Sequence, residues 1–250
     1  MKLELVSVTK GPGGRVLGAT SATVSSGEAV LVRAETEQRP TVLGLIAAGR
    51  MRPDSGEVLV DGSANPRRLR RVCALVDAPV VSEPDAAVFT VGVVTEELMF
   101  AGRRANPISA RRWMSEHGCS DLSGVPIGQV EPARRIRILC ELAASRPGIE
   151  ALVLVAPDRH GGRPTTWWRV VEDIAATGIA VLVIAGRASW EVLHGPDPEH
   201  AMDPDPDPDP DLGPVRETAP EPEPGSPADP DPTPDPDPDP YADPEPRSDA

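Results

Sequence analysis

Residues 27–62 read GEAVLVRAETEQRPTVLGLIAAGRMRPDSGEVLVDG, and this stretch decides the fold. Residues 29–32 are a short apolar run, the mark of a buried strand. Residues 41–49 follow with Val42, Leu45, Ile46 and Ala48 at helical spacing, and Pro40 suits the first turn, where a missing N–H does no harm. Residues 53–56 (Pro-Asp-Ser-Gly) predict a turn, 57–60 a strand and Asp61-Gly62 another turn. Strand, loop, helix, turn and strand in this order belong to an α/β protein. Further out, residues 3–8 alternate as a strand, 11–14 form a turn and 15–24 a second strand region. Residues 72–76 predict a buried strand, with Pro79, Pro84 and Asp85 marking the loop beyond it. Helical patterns cover 93–104, 109–117 and 131–145. Residues 151–155 and 180–184 are continuous apolar runs, as in parallel strands covered on both faces. A helix over 165–176 joins them into a βαβ unit.

The outer parts of the opening stretch, 27–32 and 52–58 (RPDSGEV), resemble the nucleotide-binding domain of ABC transporters, and the resemblance extends over about residues 3–195. It implies a P-loop NTPase-like fold with a mixed central sheet, an N-terminal antiparallel β part and a small helical subdomain. It also implies ATP and Mg²⁺ as cofactors and an ABC membrane component as partner. The phosphate loop itself departs from the family. G-x-x-x-x-G-K-[ST] is required, and the window holds Ala34-Glu35-Thr36-Glu37-Gln38-Arg39-Pro40-Thr41, of which only Thr41 fits. Such a loop wraps phosphates with backbone N–H groups, and its glycines permit the approach. Pro40, at the Lys position, has no N–H. Glu35 and Glu37 each oppose a phosphate by roughly 3 kcal/mol at about 5 Å and an effective dielectric of about 20. Losing a charged hydrogen bond forfeits roughly 1.5–3 kcal/mol more. Arg39 offers a cation one position early, on a stiffer fork than a Lys stem. The positions of the degenerate ATP site are thus Ala34, Arg39, Pro40, Thr41 and Asp77.

The other motifs implied by the resemblance depart too. Pro12 stands about where an aromatic would stack on adenine. Asp77 stands where a Gln would meet metal and water; Asp can ligate Mg²⁺, on a shorter arm. Residues 130–134 (Val-Glu-Pro-Ala-Arg) replace the glycine-rich signature before the helix at 131. The strand 151–155 should end in Asp-Glu and continues instead into Ala156 and Pro157, so the metal-binding and general-base carboxylates are missing. Asp158 is a displaced candidate ligand. Gly186 and Arg187 occupy the place of a His. These departures leave no catalytic residue to name.

The chain has 250 residues, with 39 acidic and 25 basic side chains. Residues 196–250 hold 18 acidic residues, two Arg and 19 Pro, so residues 1–195 hold 21 acidic and 23 basic ones. The acidity belongs to the tail alone. Alternating Asp-Pro runs at 203–211 and 235–240 cannot bury enough apolar surface to offset ordering entropy, which predicts a disordered, extended tail after a single domain over 1–195. Cys73, Cys119 and Cys140 have no CxxC spacing and fit a reducing cytosol. The N-terminus has no apolar signal core, and the longest apolar run is too short to span a bilayer. The expected location is cytoplasmic, with membrane association at the inner face only through a partner.

Several local features have plain readings. Arg67-Arg68-Leu69-Arg70-Arg71 reads as a solvated loop before a strand. No interleaved aromatics support nucleic-acid binding; docking of the acidic tail is the remaining reading. His117 and Cys119 form an HxC pair without a second pair, so no zinc site is expected. Trp167 and Trp168 diverge by about 100° on a helix, one toward the core and the other toward a docking surface.

These residues predict an ABC ATPase-like subunit with hydrolysis absent or very weak. It would scaffold or regulate a membrane transport complex, sitting with an ABC membrane component or pairing as a dimer with an intact ATPase subunit. An ATPase with an unusual, weak site is one alternative. A non-transport interaction module using its acidic tail is another.

Overall fold

The computed structural model describes residues 1–35 and 39–195. β1 (Lys2–Lys10), β2 (Leu17–Ser25) and β4 (Ser55–Val60) form an antiparallel sheet in the order β2-β1-β4. β3 (Ala29–Arg33), β5 (Cys73–Val76), β6 (Ala151–Val155) and β7 (Ala180–Ala185) form a parallel sheet in the order β3-β7-β6-β5. Antiparallel and parallel strands are both present as expected, but they divide between two sheets instead of mixing in one.

Period-two alternation splits the core into two layers. Ala74, Val76, Leu152, Leu154, Val181 and Val183 face one side. They pack there with buried residues of α5 (Pro132–Ala144) and α6 (Pro164–Ala175). The helices α3 (Thr90–Phe100) and α4 (Pro107–Glu116) extend this layer through Val93, Val94, Leu98, Trp113 and Met114. Leu75, Val153, Val155, Leu182 and Ile184 face the other side, with α1 (Arg39–Ala47) and the antiparallel sheet. Each such aliphatic stabilises the fold by roughly 1.5–3 kcal/mol on full burial. α1 lies between the two sheets, so its buried residues surround it instead of forming one stripe. Gly44 lets it lie close: a Cβ there would stand 2.6 Å from Val155 Cγ2. Gly56 serves the turn into β4, with φ +73° and a Cβ position only 2.3 Å from the Val6 carbonyl oxygen.

Two elements correct the sequence reading. Residues 67–71 are not a loop. They belong to α2 (Pro66–Val72), which Asn65 caps by accepting from Arg67 N at 3.1 Å and Arg68 N at 3.0 Å. Leu69 and Val72 are its buried anchors, and Arg68 pairs with Asp61. The second, α7 (Arg187–His194), follows β7 and has no counterpart in the predicted elements. The expectation of a disordered tail falls on residues 196–250, outside the described residues. Among the described residues, no helix is long and apolar enough to cross a membrane.

Candidate functional site

Parallel strands end on one edge of their sheet, and α/β proteins bind ligands beyond that edge. The segments leaving it carry Ala34 and Glu35 after β3, Asp77 after β5, Ala156 to Asp158 after β6, and Gly186 after β7. The fold therefore gathers most of the positions that the sequence singles out. Their polar groups are already engaged.

Ala34 is buried, and its N–H donates to the Ala185 carbonyl at 3.0 Å, extending the sheet where a phosphate donor would be needed. Arg39 is exposed at the start of α1, with Pro40 and Thr41 half-buried behind it. Thr36, Glu37 and Gln38 lie outside the described residues. Glu35 accepts the backbone N–H of Arg187 at the start of α7. A cleft of about 270 Å³ lies here, lined in part by Thr20, Arg33, Glu35, Arg39 and Arg187.

Asp77 is the most occupied of these groups. Its carboxylate accepts Arg135 Nη2 at 2.7 Å, Arg135 Nε at 3.2 Å and His160 Nε2 at 2.9 Å. Arg159 Nη2 adds an ion pair at 3.0 Å. Burial pushes the Asp77 carboxyl up. The hydrogen bonds from His160 and Arg135, and the charges of Arg135 and Arg159, outweigh it and hold the group below the usual carboxylate range. Ionised and surrounded by cations, Asp77 has no face left for Mg²⁺.

Asp158, the displaced candidate, accepts Gly186 N at 2.8 Å and Ser189 Oγ at 3.0 Å through one oxygen. It holds the first turn of α7. Glu131 does the same for α5, accepting Arg134 N at 3.0 Å, and Pro132 follows it in the first turn. Helix N-termini attract anions because their N–H groups lack partners. At α5 and α7 the chain's own carboxylates take that place. Arg134 is held in turn by Asp121, with both contacts at 2.7 Å.

Mg²⁺ and ATP, which the fold implies, do not fit these residues. No glycine stands in the loop, the Ala34 N–H is consumed within the sheet, and Asp77 and Asp158 bond to protein donors.

Sequence reasoning missed Arg135, Arg159, His160 and Glu83. Arg135 had a legible signal. It lies three and four residues before Ile138 and Leu139 on the apolar face of α5, where a charge requires a buried counter-ion. His117 stacks on Trp113 with centroids 3.8 Å apart, and Cys119 is buried. Trp167 is the core member of the tryptophan pair, while half-buried Trp168 donates to Glu172 at 2.9 Å.

Two sheets, a helical extension and loops gathered at the carboxyl edge define an α/β protein with the ABC ATPase fold. It is similar to a Pyrococcus furiosus protein assigned as an ABC transporter ATP-binding protein. The identity is 14%, the TM-score 0.53, and the match covers 75% of this chain and 92% of that one. It is also similar to the ATP-binding subunit of an ABC transporter, at 16% identity and a TM-score of 0.50, over 76% of this chain and 82% of that one. No protein-family profile matches the chain, and no curated protein matches it.

Proposed function

We propose that this chain is a non-hydrolysing subunit of the ABC ATPase fold, acting as a scaffold or regulator in a cytoplasmic assembly on a membrane transport component. One observation carries the reading: among the described residues, Glu35, Asp77, Glu131 and Asp158, four carboxylates around the carboxyl edge, each bond to the chain's own donors. In a head-to-tail dimer the chain would bring neither a phosphate loop nor glycines at the start of α5. Both composite sites would be weakened, which favours a scaffold or inhibitory role over a stimulating one. A cleft of about 560 Å³ offers a partner a mixed surface, with exposed Val81, Val88 and Phe100 beside Glu83, Asp85, Glu96 and Glu97. Purification of the tagged chain from its native membrane tests the proposal. A multi-span membrane protein and an intact ATPase subunit should accompany it in fixed ratio; a chain that emerges alone contradicts it.

A second reading keeps weak ATP binding. It is favoured by Arg33, Arg39 and Arg187, which line the smaller cleft beside Glu35, although Arg187 also pairs with Glu191. It requires that Arg39→Ala weaken ATP binding.

A further inference from the structure

The geometry assigns Arg159 as a tethered cation, seated in the socket that Asp77, Glu83 and His160 would otherwise offer to a divalent metal ion. The ligand atoms of these three residues lie within 4.8 Å of one another. One imidazole and two carboxylates are a donor set that suits Mn²⁺, Fe²⁺ or Zn²⁺. The guanidinium bridges the two carboxylates. Its Nη2 stands 3.0 Å from Asp77 Oδ1 and 3.1 Å from Glu83 Oε1. That nitrogen is buried and makes no aligned hydrogen bond, so it acts there by charge and not by direction. Nη1 fixes the head in place, donating to the carbonyls of Val155 at 2.9 Å and Ala156 at 3.0 Å.

The charges balance without an ion. Asp77 and Glu83 bring two negative charges, and Arg135 and Arg159 bring two positive ones. A divalent ion would have to enter against both guanidinium groups. The Arg159 side chain thus ties the loop after β5 to the end of β6 permanently. A metal ion would tie them only when bound. The tie needs neither ion nor nucleotide, and its test reads metal binding alone, so it stands or falls apart from the functional proposal.

The experiment uses the full chain and Mn²⁺, which avoids the thiols. In Arg159→Gln the charge is gone, and the shorter side chain stops two bonds short of the guanidinium head, which leaves the socket open. We expect R159Q to bind Mn²⁺ at least tenfold more tightly than the unaltered protein, by paramagnetic resonance and by a thermal shift that EDTA reverses. Adding His160→Ala should abolish the gain. If R159Q is unfolded without metal, refolding on addition of Mn²⁺ supports the assignment, and failure to refold contradicts it. His160-dependent Mn²⁺ binding by the unaltered protein, or no gain in folded R159Q, overturns it.

Discussion

Arg135 grips Asp77 with two contacts, Nη2 to Oδ1 at 2.7 Å and Nε to Oδ2 at 3.2 Å, and the residues are only 1% and 2% exposed. A third donor, Arg135 Nη1, reaches the Ile127 carbonyl at 3.1 Å. This pair joins α5 to the carboxyl edge of the parallel sheet and to the segment beyond α4. Removing one partner of such a pair costs about 3–5 kcal/mol, because a buried charge is left uncompensated. Arg159 and His160 remain near Asp77, so Arg135→Met should fall near the lower end, about 3 kcal/mol. Urea unfolding of R135M, compared with the double variant R135M/D77L, measures this; the double variant should regain part of the loss.

Asp158 is a helix anchor in this structure, holding Gly186 N and Ser189 Oγ through one oxygen. Asp158→Ala should cost about 1 kcal/mol, as for other lost caps. Its response to Mg²⁺ with or without ATP should match that of the unaltered protein. Denaturant midpoints measured with and without Mg²⁺ decide between the two roles.

Acid should destabilise the fold through Asp77 in a defined direction. The carboxyl lies below its ordinary value in the folded state. Above about pH 5 it is charged in both folded and unfolded chains, and its contribution is constant. As the pH falls further, the unfolded chain takes up the proton first. The contribution is then lost as the pH passes through the folded-state value. Thermal midpoints between pH 5 and 2 should drop more steeply for the unaltered protein than for Asp77→Asn, which starts lower.

The three cysteines should be inert while the protein is folded. Burial pushes the Cys73 thiol up to about 12 and raises Cys140 and Cys119 as well. The thiolate is the reactive form. Ellman's reagent at pH 8 should modify none of them in native buffer and all three in denaturant.

Much of the fold was legible in residues 27–62 and in the apolar runs 151–155 and 180–184, because turn chemistry and continuous burial leave few alternatives. α2 was hidden because four arginines flank its single interior apolar residue, Leu69, and propensity alone carries no face to read. α7 was hidden because its cap comes from Asp158 and Glu35, distant in sequence, instead of from a neighbouring Ser, Thr or Asn. At the site, the missing glycines and the Val155-Ala156-Pro157 strand end could be read directly. The fate of Asp77 could not: its partners Arg135, Arg159 and His160 lie 58 to 83 residues away in the chain and meet it only through the fold.

Among the described residues, protein donors already hold the carboxylates that a bound nucleotide's metal would need. Calorimetric titration of the purified chain with Mg-ATP up to several millimolar tests this most directly. No binding heat beyond dilution and no change in thermal midpoint are expected. A saturable isotherm contradicts it, the more firmly if unfolding stability rises by about 2.7 kcal/mol at a hundredfold excess over the dissociation constant.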